Sequence, residues 1–182
     1  QNILGELYIK GENVTKDVNK AIRYFKNALD QNSSEAQYNL GVIFSNGENI
    51  ARDIKKAMNY FLLASSQNHY KAQYQLGLIY LRGDFISQDI EKGIQYLLLS
   101  SHSNYSEALF QLGIIYSKND YVTCDIDKSI HYYSLASDLN HSKSQYNLGL
   151  IYYEDKLIKR DIDKAIHYFN LASDSNNREA KC

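Results

Sequence analysis

Apolar residues recur along this chain at helical spacing, and the whole pattern recurs 36 residues later. Ala36, Leu40, Ile43 and Phe44 fall at i, i+4, i+7 and i+8, one stripe of a helix. Ala72, Leu76, Ile79 and Tyr80 repeat it. A second stripe, Ile54, Ala57, Met58, Phe61 and Ala64, starts after Asp53. An aspartate before an apolar-periodic run is a good N-cap, because its carboxylate accepts from free backbone N–H groups. The pattern predicts helices over about 34–46, 54–67, 70–82, 90–103, 106–118, 126–139, 142–154 and 162–175, with two more in the first copy. No strand-like alternation persists.

Two punctuation marks keep the same step. Gly11, Gly47 and Gly83 end the first helix of their units, where a left-handed residue is wanted; Asn119 and Asp155 take that place later. Asn32, Asn68, Asn104, Asn140 and Asn176 stand where the second helix stops, asparagine being the next best residue for that conformation. Leu-Gly recurs at Leu4-Gly5, Leu40-Gly41, Leu76-Gly77, Leu112-Gly113 and Leu148-Gly149. Mid-helix glycine costs ~1 kcal/mol against alanine. It predicts close approach of the first helix (A) to the second (B), at the small residues Ala21, Ala57, Gly93, Ser129 and Ala165.

A fixed period of this size means stacked supersecondary units. The expected fold is all-α, a right-handed α/α superhelical solenoid of stacked antiparallel helix pairs. We expect one continuous repeat domain over 1–182, with units 1–35, 36–71, 72–107, 108–143 and 144–179, and 180–182 opening a further unit. The register runs out at both ends without a polar capping unit, so a fragment of a longer protein is expected.

The sequence resembles the Sel-1-like repeat, a longer-looped relative of the tetratricopeptide repeat. The clearest copy is Ala36-Gln37-Tyr38-Asn39-Leu40-Gly41-Val42-Ile43-Phe44, then Gly47, then Asp53-Ile54-Lys55-Lys56-Ala57-Met58-Asn59-Tyr60-Phe61, then Ala64. The chain departs from the family in having no proline and no tryptophan. Tyr24, Tyr60, Tyr96, Tyr132 and Tyr168 fill the aromatic slot. The resemblance implies an adaptor or assembly platform, as in endoplasmic-reticulum degradation complexes, signalling scaffolds and bacterial effectors.

The 182 residues carry a net charge of -1. That argues against a nucleic-acid partner, which needs a basic stripe. No apolar run approaches the ~20 residues of a membrane span, so no direct membrane insertion of this segment is expected. The repeated aspartates and lysines read as caps and solvated helix charges. His131 and His167 share one register, but nothing completes a four-ligand metal site. No nucleophile–base pair or phosphate loop exists, so neither catalytic residues nor a cofactor is expected. Cys124 and Cys182 lie nearly two repeats apart, beyond disulfide reach. The chain lacks the per-repeat cysteine pairs of the family's secreted cousin, which favours a reducing compartment such as the cytoplasm. Sequons at Asn13, Asn32, Asn104 and Asn140 keep the endoplasmic-reticulum lumen open.

Function is expected on the open face of helix A, which lines the concave side in tetratricopeptide-like stacking. Two columns remain there once the core stripe is assigned. One is aromatic: Tyr38, Tyr74, Phe110 and Tyr146. The other is carboxamide: Asn39, Gln75, Gln111 and Asn147. Aromatics give contact area at low entropic cost, and carboxamides both donate to and accept from a peptide backbone. With Arg82 at the edge, these nine residues form the expected surface for another protein or a peptide segment. The aromatic column has a second reading, as packing between adjacent A helices. The function expected is a non-catalytic protein-interaction scaffold. The alternative is a regulatory or substrate-docking region of a larger enzyme, such as a protein kinase or a degradation complex.

Overall fold

A computed structural model of the chain describes residues 1–11, 14–47, 50–83, 86–118, 121–154 and 158–179, with side chains as far as 174. The described residues contain ten helices and no strand: α1 (Asn2–Lys10), α2 (Val18–Leu29), α3 (Ser34–Asn46), α4 (Ile54–Ser65), α5 (Tyr70–Arg82), α6 (Ile90–Ser101), α7 (Ser106–Ser117), α8 (Ile126–Asp138), α9 (Ser142–Glu154) and α10 (Ile162–Glu179). Odd-numbered helices are the A helices and even-numbered ones the B helices. The chain forms two compact units, 1–96 and 97–182. In the first, α1 packs on α2, α2 on α3, α3 on α4 and α4 on α5. In the second, α7 packs on α8, α8 on α9 and α9 on α10.

Most of the expected core stripe is buried, while Phe44, Met58, Ile79 and Tyr80 are half-buried. Ala36, Leu40, Ala72, Leu76, Leu112 and Leu148 are fully enclosed, as are Ala57, Phe61 and Ala64 of helix B. Each helix B starts at an aspartate. The carboxylates of Asp17, Asp53, Asp89, Asp125 and Asp161 accept from the backbone N–H three residues on, at 2.9–3.0 Å. The same aspartates donate their own N–H back to helix A, to the carbonyls of Tyr8, Phe44, Tyr80, Tyr116 and Tyr152, at 2.9–3.0 Å. The A–B loop is therefore closed by one residue working in both directions.

Above that closure lies a stack found in all five copies. The helix A aromatic lies nearly parallel to a helix B tyrosine, as Phe44 on Tyr60 at 5.8 Å and Tyr80 on Tyr96 at 5.7 Å. The lysine after the capping aspartate covers its outer face: Lys56 stands 4.3 Å from the Phe44 ring centre and Lys92 5.7 Å from that of Tyr80. The repeated lysines are solvated, as expected, but each also covers an aromatic surface.

Helix B ends one or two residues earlier than predicted. The last turn tightens to i→i+3 hydrogen bonds, such as Gln67 N–H to Ala64 and Asn68 N–H to Ser65. Asn32, Asn68, Asn104 and Asn140 take φ of 52, 61, 54 and 60°. The residue after the asparagine donates back to the helix, His69 N–H to Ala64 O at 3.2 Å and His141 N–H to Ala136 O at 3.1 Å, which is the Schellman closure. Asn176 is different, because α10 continues through it to Glu179. In the other four copies the turn leads into an A helix; no described helix follows Asn176. Gly11, Gly47 and Gly83 are left-handed as expected. Asn119, Asp155, Asn13 and Cys182 lie outside the described residues.

The mid-helix glycines have two tasks where one was expected. A Cβ on Gly41 would lie 2.5 Å from the Phe61 ring; Gly5, Gly113 and Gly149 stand in the same way against Phe25, Tyr133 and Phe169. The ring of helix B lies flat in the notch that glycine leaves. The small-residue contact exists beside it. Ser129 Oγ donates to Gly113 O at 2.9 Å, and a Cβ on Gly93 would lie 3.1 Å from Gly77 O.

Candidate functional site

Among the described residues of the first unit, two clefts between A helices hold members of the carboxamide column. The first lies between α1 and α3 and encloses about 320 Å³. Phe25, Ile9, Val42 and Ile43 give it apolar walls; Glu6, Lys10, Glu35, Tyr38, Asn39 and Lys71 supply the polar groups. The second lies between α3 and α5, encloses about 120 Å³, and includes Gln75, Leu78, Ile79 and Arg82 with Ser45 and Asn46. Asn39 and Gln75 are one period apart, as are Val42 and Leu78. The two clefts thus share a column of positions, while Phe25, Glu35, Tyr38 and Lys71 line only the first.

The carboxamide column divides by what helix B offers it. Asn147 donates from Nδ2 to the hydroxyl of Tyr133 at 3.0 Å. The residue fourteen positions before Asn39 is Phe25, and the one fourteen before Gln75 is Phe61. Neither ring carries a hydroxyl. Accordingly Asn39 Nδ2 is buried with no hydrogen-bond partner. Among the described residues the side chains of Gln75 and Gln111 also make no hydrogen bond.

The aromatic column is partly scaffold. Tyr38 is half-buried, stacks on His69 at 4.7 Å and meets Phe61 at 6.0 Å. Burial, then the charge of Glu35 and the neighbouring Tyr70, hold its hydroxyl above the usual tyrosine range, so it is a hydrogen-bond donor at neutral pH. Phe110 packs on Tyr133 and His141. Tyr146 rests against Phe169 but is 52% exposed. Tyr74 is half-buried on α5, and Arg82 is exposed at its C-terminal end.

Two features of the A helices escaped the sequence reading. Gln37, Gln73 and Gln145 are buried, at 5, 4 and 2% exposure. Gln37 accepts from Gln67 Nε2 at 2.9 Å and donates to Asn32 Oδ1 at 3.4 Å; Gln145 donates to Ser137 O at 3.3 Å. At Gln37 and Gln145 this carboxamide column braces the end of helix B from inside. Its recurrence directly after the small core residue at 36, 72 and 144 was the available signal. The other feature is a pair of histidines at helix starts. His69 Nδ1 accepts from Ala72 N–H, capping α5, and Nε2 lies 3.1 Å from Glu35 Oε2. His141 caps α9 likewise, through Ser144 N–H. Because Nδ1 accepts, the proton of neutral His69 sits on Nε2 and points at Glu35. His131 and His167, which drew attention in the sequence, are exposed and stand edge-on to Tyr132 and Tyr168.

The "Sel1 repeat" family profile matches residues 1–33, 34–69, 71–105, 106–141 and 142–177. The chain belongs to the Sel1 repeat family. Solved structures agree. A Sel1 repeat protein from Oxalobacter formigenes is 28% identical, with a TM-score of 0.87 over 95% of this chain and 71% of its own. The antigen c5321 of uropathogenic Escherichia coli, described as having an SLR fold, is 23% identical with a TM-score of 0.84. The match covers 98% of this chain and 38% of that one. Immunity protein Pa5087 from Pseudomonas aeruginosa, at 19% identity and a TM-score of 0.67, covers 96% of this chain and 67% of its own. No curated protein matches. The fold is an all-α repeat solenoid, a scaffold that is generally non-catalytic and suggests a role in protein interaction. No helix of the described residues is long and apolar enough to cross a membrane, and none of their His, Cys, Asp and Glu side chains cluster as a metal site.

Proposed function

We propose that this Sel1 repeat segment is a non-catalytic interaction module that holds an extended segment of a partner protein across the A helices of its first unit. The observation that carries the reading is the pair of unpartnered carboxamides, Asn39 and Gln75, each lining a cleft and standing one period apart. The two carboxamides line the clefts, and a peptide backbone offers a donor or an acceptor to such groups at every residue. Phe25, Val42 and Leu78 supply apolar surface beside those groups, while Tyr38 and Arg82 flank them. In the second unit, taken by itself, Tyr146 is exposed and Asn147 serves the scaffold through Tyr133. Immunity proteins are among the fold's relatives, but at under 25% identity they speak for the architecture only.

The test is selection of peptides from a random displayed library on the intact chain. Affinities of the enriched peptides are then measured against Asn39→Ala/Gln75→Ala. The double variant is expected to lose roughly tenfold or more. Its melting temperature should stay close to wild type, since neither side chain makes a hydrogen bond to another described residue. Failure to enrich any peptide, or equal binding by the double variant, rejects the reading.

A further inference from the structure

We infer that the first unit selects a partner segment in which an apolar side chain is flanked by one basic and one acidic residue; this rests on the groove reading above. The inference starts from a column that the core does not use. Positions 35, 71, 107 and 143 read Glu, Lys, Glu, Lys, so the sign of the charge alternates with each period. In the first unit the acidic and basic members, Glu35 and Lys71, both line the α1–α3 cleft.

Glu35 is a prepared acceptor. Its carboxylate lies 3.1 Å from His69 Nε2. Because His69 Nδ1 accepts from the Ala72 N–H, the imidazole is the neutral Nε2–H tautomer. The histidine therefore orients Glu35 without neutralising it. The carboxylate side chain remains 46% exposed while the imidazole is 8% exposed, so the outward-facing oxygen is available to a cation. Lys71 has no carboxylate partner among the described residues; its ammonium stands 5.9 Å from the Tyr70 ring centre.

Both charges open on the same cleft as the apolar side chains of Ile9, Phe25 and Val42, so a segment that seats an apolar side chain there can offer a cation to Glu35 and an anion to Lys71. A volume of about 320 Å³ is at the low end for ligand pockets, which suits one large apolar side chain. An all-basic or all-acidic segment would meet one matching and one repelling charge.

The experiment uses five synthetic peptides built on one apolar residue within a sequence enriched by selection. Its flanking positions are Lys…Glu, Glu…Lys, Gln…Gln, Lys…Lys and Glu…Glu. Binding to the intact chain is read by fluorescence anisotropy at low and high salt. One of the two mixed orders is expected to bind roughly tenfold tighter than Gln…Gln, with the gap shrinking at high salt. The charge-swapped variant Glu35→Lys/Lys71→Glu should prefer the opposite order. If its fold is perturbed, Glu35→Gln and Lys71→Gln should each reduce the discrimination. Binding that depends on Asn39 and Gln75 but ignores the flanking charges overturns the charge assignment and leaves the groove intact. Absence of binding by every peptide overturns both.

Discussion

One hydroxyl separates the carboxamides that serve the scaffold from those that are left open. Asn147 has Tyr133 fourteen residues before it and bonds to its phenol; Asn39 has Phe25 there and is left with a buried, unpaired Nδ2. Phe25→Tyr should bring a hydroxyl to the edge of the α1–α3 cleft, which both residues line. Pairing with Asn39 is expected to stabilise the chain by about 1 kcal/mol in denaturant titration, and to weaken binding of a selected peptide because the amide is no longer available. A variant that is stabilised yet binds undiminished would separate Asn39 from recognition. Tyr133 itself is held above the ordinary tyrosine range, chiefly by burial, with its bonds to Ser117 and Asn147 opposing that. It is neutral when Asn147 donates to it.

The helix pair is decided by the contact between a glycine and a ring. At Gly41 a methyl group would come within 2.5 Å of Phe61 Cε1, and Phe61 is fully buried with nowhere to retreat. Alanine gains ~1 kcal/mol of helix propensity there, but overpacking costs about 1–3 kcal/mol, occasionally more. Gly41→Ala should therefore destabilise. The cost should shrink in a Phe61→Leu background, where the ring no longer fills the notch. Thermal or urea unfolding of the four proteins checks this. Strictly additive effects would show that the ring is not what excludes the side chain. The same glycine admits close approach of helix B at its small residue, as the Ser129–Gly113 hydrogen bond shows.

At the scale of the molecule, two of the aspartate closures, one in each unit, respond to acid. The backbone N–H of Lys92, and then the Lys92 side chain, hold the Asp89 carboxyl below its ordinary range; Lys128 does the same for Asp125. A depressed folded pKa gives stability that is fully present above the unfolded value, near pH 4, and lost as pH falls through the folded value. The melting temperature should therefore fall as pH drops below about 4. Asp89→Asn/Asp125→Asn keeps a capping acceptor but removes two titrating groups, so its profile should be flatter over that range. Superimposable profiles would assign the acid loss to other carboxylates.

Much of the architecture was legible in residue order because it rests on local rules. Aspartate caps a helix through the N–H three residues away, asparagine or glycine takes a left-handed φ, and apolar stripes follow the helical period. None of these needs a distant partner, and repetition at 36 residues made each one readable several times. The family resemblance rested on the same residues. The carboxamide columns were visible too, but their division was not. Asn39 and Asn147 are identical in type and register; Phe25 and Tyr133 stand fourteen residues before them in the sequence, but only packing makes that side chain the carboxamide's neighbour. Gln37 and Gln145 look like surface residues in the sequence, yet they lie inside against the end of helix B. His69 could be seen as a residue before a helix, but its hold on Glu35 joins positions 34 apart. Where hydrogen-bond partners lie in the next helix or the next repeat, residue type gives the capacity to bond, and the packing of one helix on another decides whether that capacity is used inside the fold or left for a partner.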